Sequence, residues 1–118
     1  MKEALKHHSK RFVYPVKGIL FALRNDRSYR LQVYSVASLL AVFVYFMRPL
    51  NQTEILFIAL AYTLVLITEL QNSSFEAALD RMHPEMHDDI GRSKDMAAGA
   101  VLTAGFFLLF VLFIVWKI

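Results

Sequence analysis

The sequence predicts an all-α integral membrane protein, with an N-terminal interfacial amphipathic helix followed by three transmembrane helices. Three observations carry that expectation. Charge-free runs occupy Leu31 to Met47, Ile55 to Thr68 and Met96 to Trp116. Hydrophobic residues make up 57% of the 118 positions, more apolar surface than a small soluble core can hide. The charge is segregated: residues 1–30 hold eight Lys/Arg and two acids, whereas residues 76–95 hold three and six. The length fits a single domain, 1–118. No repeat, low-complexity tract or Pro/Gly-rich linker divides it. Cysteine is absent, which excludes disulfides and thiolate metal sites.

Residues 1–30 form the interfacial region. On a helical wheel Phe12, Val16, Ile19, Leu20 and Leu23 share one arc, and Lys6, Lys10, Lys17 and Arg24 share a neighbouring one. A helix with that division suits the membrane surface. It is not a secretory signal, because Lys17 interrupts the apolar stretch and no small-residue cleavage site follows. Pro15 is expected to kink this helix or to start a second one. A basic nucleic-acid patch is the rival reading, and the three apolar segments that follow argue against nucleic acid. His7 and His8 are expected in a solvated or headgroup setting.

The first spanning helix is placed at 31–50, bounded by Arg30 and Arg48. Thr53 or Asn51 caps the next helix, placed at 54–82. Its charge-free run is only fourteen residues, short of the about 20 needed to span. It spans only by continuing past Glu69, which puts that carboxylate near one interface. Pro84 marks a break after it. The third helix, 94–117, contains twenty-one residues without a charge. It opens on the small residues Ala97-Ala-Gly-Ala100, which permit close helix approach, and ends on an interfacial Trp116-Lys117 anchor. The basic N-terminal end belongs in the cytoplasm. Three crossings then leave the 80–95 loop cytoplasmic and the 48–54 turn outside.

Glu69, Asn72, Glu76 and Asp80 lie at helical offsets 0, 3, 7 and 11, within an arc of roughly 80° at about 100° per residue. Three carboxylates and an amide thus share a stripe where an apolar segment ends. An ionisable group at a membrane edge is costly and reads as functional; the alternative is a helix that has left the lipid and shows a solvated face. Arg92 and Lys94 could neutralise phosphate; taken alone they read first as interfacial snorkelling, but across a short loop the pair faces Glu76 and Asp80. Asp95 favours the start of the third helix. Magnesium needs one or two carboxylates plus phosphate oxygens, so these are parts for holding Mg-nucleotide. No Walker A sequence and no GxGxxG occurs, which excludes the common nucleotide-binding folds. His83 and His87 are two imidazoles four residues apart, a spacing that zinc uses, but Pro84 between them works against a regular helical pair.

The stretch Glu69-Leu-Gln-Asn-Ser-Ser-Phe-Glu-Ala-Ala-Leu-Asp80, followed by Ser93-Lys-Asp-Met-Ala-Ala-Gly-Ala-Val-Leu102, resembles the prokaryotic diacylglycerol kinase family, which includes undecaprenol kinases. The likeness extends to Tyr14, to Lys17-Gly18 and to Asn25-Asp-Arg-Ser-Tyr-Arg30, and covers nearly the whole chain. It implies a bacterial inner-membrane homotrimer, a trimeric helical bundle with active sites between subunits at the cytoplasmic face. It implies transfer of the ATP γ-phosphate to a lipid hydroxyl, with Mg2+ as cofactor and diacylglycerol or undecaprenol as acceptor. By resemblance, Glu69 matches the catalytic general base, and Glu76 and Asp26 match the metal ligands. Tyr14, Asn72, Glu85, His87, Lys94 and Asp95 match ATP-site positions, with Asp80 and Arg30 as weaker matches.

Three positions depart from the family pattern. Asp26 stands where a glutamate is usual and reaches one methylene less far. Gln32 lies near a position acidic in some members, and Met86 replaces a common aromatic. The Ala97–Ala100 entry leans by resemblance towards the undecaprenol-kinase-like members. The alternative function is a non-catalytic membrane assembly module of the same fold, in which the polar stripe serves helix packing.

Overall fold

The computed structural model describes residues 1–85 and 87–118, without the side chains of residues 7–9. Met86 and the imidazoles of His7 and His8 therefore lie outside the described residues. Four helices account for nearly everything else: α1 (Lys2–Asn25), α2 (Arg27–Phe46), α3 (Gln52–Met82) and α4 (Asp88–Lys117). The last three are long and apolar enough to cross a membrane.

Helix α1 runs through Pro15 without ending there. It stops at Asp26, whose backbone is extended and whose N–H bonds to Ala22 O at 2.9 Å. The same residue starts α2, since Asp26 Oδ1 accepts from the Tyr29 N–H at 3.1 Å. One residue thus closes one helix and caps the next, a role for which the short aspartate side chain is well suited. Arg30 completes the joint by donating to Leu23 O and Arg24 O, carbonyls left over at the end of α1.

Between Thr53 and Asn51 the structure selects Asn51 as the cap of α3. Asn51 Oδ1 accepts from the Glu54 N–H at 2.8 Å, and Glu54 Oε1 accepts from the Asn51 N–H at 3.1 Å. This reciprocal pair satisfies two donors that a helix start leaves bare. Helix α4 begins at Asp88, ahead of its apolar run, where Asp88 and Asp89 favour the positive end of the helix dipole.

The core is a seam between α3 and α4. Ile58, Ala61 and Val65 recur every three to four residues on α3 and meet Ala104, Leu108, Val111, Leu112 and Val115 of α4. Ala61 is 0% exposed, and its small side chain lets the two helices approach. Helix α2 adds Leu40 to the core and packs on α3. Helix α1 packs on α2 and α3 much less than α3 and α4 pack on each other, and Ala22 near its end is buried. The chain measures 49 × 48 × 21 Å. A 31-residue helix accounts for about 46 Å of one axis. Tyr45, Phe46, Leu56, Phe106 and Phe110 are exposed, as expected where the surrounding solvent is lipid.

Candidate active site

The polar stripe of α3 begins inside the bundle and ends outside it. Glu69 is 3% exposed, Asn72 is half-buried, and Glu76 and Asp80 are exposed. The gradient follows from the packing, because Glu69 continues the seam of Ile58, Ala61 and Val65 one turn further along α3. A residue at that position is buried whatever its chemistry. Here it is a carboxylate, and burying one without compensation is expensive.

The compensation comes from α2. Ser28 Oγ donates to Glu69 Oε1 at 2.6 Å, across 41 positions of sequence. It is the sole hydrogen bond recorded for the Glu69 side chain among the described residues, and no cation is paired with it there. Ser28 is the site residue that sequence reasoning missed. It lies within the Asn25–Arg30 stretch, but nothing local marks it as a partner of a residue on another helix. One turn beyond Glu69, Asn72 Oδ1 is buried and has no partner among the described residues. Such atoms are rare in folded proteins and call for a ligand or a water.

Asp26 is half-buried and uses one oxygen as a helix cap, leaving the other without a recorded bond. Asp26 and Ser28 line a groove of about 900 Å³ between α1 and α3, with Pro15, Ile19, Ala22 and Leu70 among its apolar walls. Ser73, Ser74 and Ala77 face the same groove, so Asp26 lies across from the turn of α3 that carries Glu76. Glu76 has no hydrogen bond or ion pair among the described residues. No cluster of three or more metal-ligating side chains occurs among those residues. A two-carboxylate set of Asp26 and Glu76 is nevertheless what magnesium takes when phosphate oxygens supply the rest. The orphaned Asn72 oxygen also fits a polar ligand. Tyr14 is exposed on α1, next to Pro15 at the groove wall.

On the α4 side, Lys94 forms an ion pair with Asp80. Arg92 does not face the stripe; it pairs with Asp89 on its own helix at 3.1 Å. The Lys94 and Asp80 side chains are 35% and 64% exposed, and a pair this open holds weakly. Lys94 is therefore free to exchange Asp80 for an incoming anion. Asp95 is exposed on the second turn of α4, and Glu85 in the loop before it. His87 caps α4, its Nδ1 accepting from the Asp89 N–H at 3.2 Å. Arg30 is committed to the α1–α2 joint rather than to the stripe.

The family pattern of prokaryotic diacylglycerol kinase matches residues 13–116, which include every one of these side chains. The chain belongs to the prokaryotic diacylglycerol kinase family. Relatives bear this out. It is 36% identical over 91 residues to a diacylglycerol kinase of Escherichia coli strain K12, covering 77% of this chain and 73% of that protein. It is 30% identical over 103 residues to the diacylglycerol kinase of Haemophilus influenzae, covering 87% and 82%. The Pseudomonas aeruginosa diacylglycerol kinase is 31% identical over 91 residues, covering 77% and 72%. Within this family fold, the buried Glu69, the orphaned Asn72 and the open Glu76 lie along one line of α3.

Proposed function

We propose that the chain is a membrane lipid kinase, transferring the ATP γ-phosphate to the hydroxyl of a lipid alcohol, diacylglycerol or undecaprenol. The observation that carries this reading is Glu69, a carboxylate 3% exposed with no paired cation among the described residues, on a helix apolar enough to cross a membrane. A structural carboxylate in such a place would be neutralised by a partner. Glu69 keeps spare acceptor capacity, which is what a general base requires.

In this reading the acceptor hydroxyl gives its proton to Glu69 while its oxygen forms a bond to the γ-phosphorus. The bond from that phosphorus to the bridging oxygen breaks, and ADP leaves with the electron pair. Asp26 and Glu76 would hold Mg2+, which offsets charge on the phosphate oxygens when bound. Lys94 leaves Asp80 to meet phosphate, and Asn72 donates or accepts beside it. Tyr14 contacts the adenine side, and Glu85, His87 and Asp95 border the nucleotide. Little covalent work falls to the protein, so positioning and electrostatics provide most of the acceleration. Helix α1 lies on the cytoplasmic face of the inner membrane, and three copies assemble with sites between subunits. The wide apolar surface left by α2, which buries only Tyr29 and Leu40, supports that assembly.

The test is phosphate transfer from γ-labelled ATP by the purified full-length protein in micelles. Diacylglycerol and undecaprenol are offered separately and together, with and without magnesium. Label should reach one lipid in preference, and only with magnesium. Transfer to neither lipid by well-folded protein overturns the reading and leaves the non-catalytic membrane module.

A further inference from the structure

Glu69 has one fixed oxygen and one without a recorded partner. Its Oε1 accepts from Ser28 Oγ at 2.6 Å, and Oε2 has no recorded partner among the described residues. The terminal torsion of a glutamate is broad, so a carboxylate held by packing alone would turn freely about it. A single strong hydrogen bond to one oxygen restricts that rotation and fixes the direction in which the other, equivalent oxygen is presented. Ser28 is itself fixed: it lies in the first turn of α2, where Asp26 caps the Tyr29 N–H and Tyr29 is buried. It is also exposed to the groove between α1 and α3, whose walls are mostly apolar and whose polar end holds Asn25, Asp26 and Ser28.

We infer that Ser28 is a positioning residue for the reaction, orienting Glu69 through Oε1 so that Oε2 faces the acceptor hydroxyl. This rests on the kinase reading above. The serine does not touch phosphate and does not exchange a proton in the step. Its hydroxyl supplies a short, charge-assisted bond to the carboxylate and forms the point where groove and base meet. Geometry within a few tenths of an ångström governs such steps, so losing the bond should lower turnover while leaving nucleotide binding alone.

The test compares Ser28→Thr with Ser28→Val, which have nearly the same shape and differ in the hydroxyl. Both are made in the full-length protein and assayed on whichever lipid the wild type accepts. Wild-type activity establishes the parent reading independently, so its failure cannot be confused with failure of this one. Ser28→Thr should keep kcat within about threefold, and Ser28→Val should lose about tenfold or more, the range for a hydrogen bond to a charged group. KM for ATP should stay within about twofold in both. Equal kcat in the two variants, whether high or low, overturns the inference, since shape alone would then account for the result. A fall in Ser28→Val that appears in the ATP KM rather than in kcat overturns it too. Ser28→Ala, which removes bulk as well, provides a further hydroxyl-free variant should the valine fail to fold, and it should lose kcat in the same way.

Discussion

Helix α3 carries two buried carboxylates at opposite ends of its apolar run, and they are treated in opposite ways. The Glu54 side chain is 8% exposed and fully engaged. Arg48 donates to it with both terminal guanidinium nitrogens, at 3.0 and 2.8 Å, and the Asn51 N–H adds a third bond at 3.1 Å. The same arginine also donates to Val115 O at 3.4 Å, tying the α2–α3 turn to the end of α4. The Glu54 bonds push the Arg48 guanidinium still further up from its ordinary value. Among the described residues Glu69 has one neutral hydroxyl and no cation as partners. A buried carboxylate with both oxygens bonded to a cation is locked in place; one with an oxygen to spare can take a proton from something else. The contrast separates a structural clasp from a chemical group on a single helix.

The sharpest way to break this comparison is Glu69→Gln. The amide keeps the shape and can still accept from Ser28, so folding and ATP binding should be retained. It cannot take a proton, so turnover should fall by about 10³-fold, within the range for general-base catalysis. Lipid phosphorylation and a nucleotide-dependent thermal shift measure the two halves. Near-normal turnover would remove Glu69 from the base role.

Local pattern made part of this legible in the sequence and hid the rest. The three spanning helices follow from charge-free runs, and the α3 stripe follows from spacing alone. Even the burial of Glu69 is implicit, since it continues the Ile58–Ala61–Val65 period. The continuity of α1 through Pro15 was not legible. Nor was the early start of α4, although Asp88 and Asp89 mark it; the hydrophobic pattern pointed only to the membrane-embedded part. Tertiary partners were the least visible. Lys94 facing Asp80 across the short loop was legible, but Ser28 with Glu69 and Arg48 with Val115 join residues on different elements with no such cue. No local propensity encodes such pairs, because they exist only once the helices are packed. The doubled role of Asp26 was hidden for the same reason: a cap that closes one helix and opens another is visible only when both ends are in place.

Asp26 permits a middle-sized effect that separates capping from metal binding. Asn is as good an N-cap as Asp, so Asp26→Asn should leave the melting temperature nearly unchanged. It removes a charge that the kinase reading gives to magnesium. The expected outcome is a magnesium requirement raised by roughly tenfold, with near-full turnover recovered at saturating metal, since a metal ligand of this kind contributes through charge as well as geometry. A titration of activity against magnesium, beside a thermal melt, reads both. An unchanged magnesium requirement would confine Asp26 to the helix joint.

The smallest effect on turnover should come from the other carboxylate, and it completes the comparison. Glu54→Gln keeps an oxygen for the Asn51 N–H but turns an amide nitrogen towards a guanidinium that has only donors to offer. The Arg48 side chain is 40% exposed and keeps part of its hydration, but a buried amide nitrogen facing it finds no acceptor, so the melting temperature should drop further than in Glu69→Gln or Asp26→Asn. Activity per folded molecule, measured well below that melting point, should stay within about twofold of wild type, because the clasp lies at the opposite end of α3 from Asn72 and Glu76. The double variant Arg48→Met with Glu54→Met removes both charges together. It should recover much of the lost stability, since well-packed apolar side chains often replace a buried pair without penalty. Recovery in the double variant with unchanged turnover means that the clasp serves the fold alone. A turnover loss in Glu54→Gln comparable with that of Glu69→Gln would instead show that the two ends of α3 are coupled, and the division between a structural and a chemical carboxylate would fail.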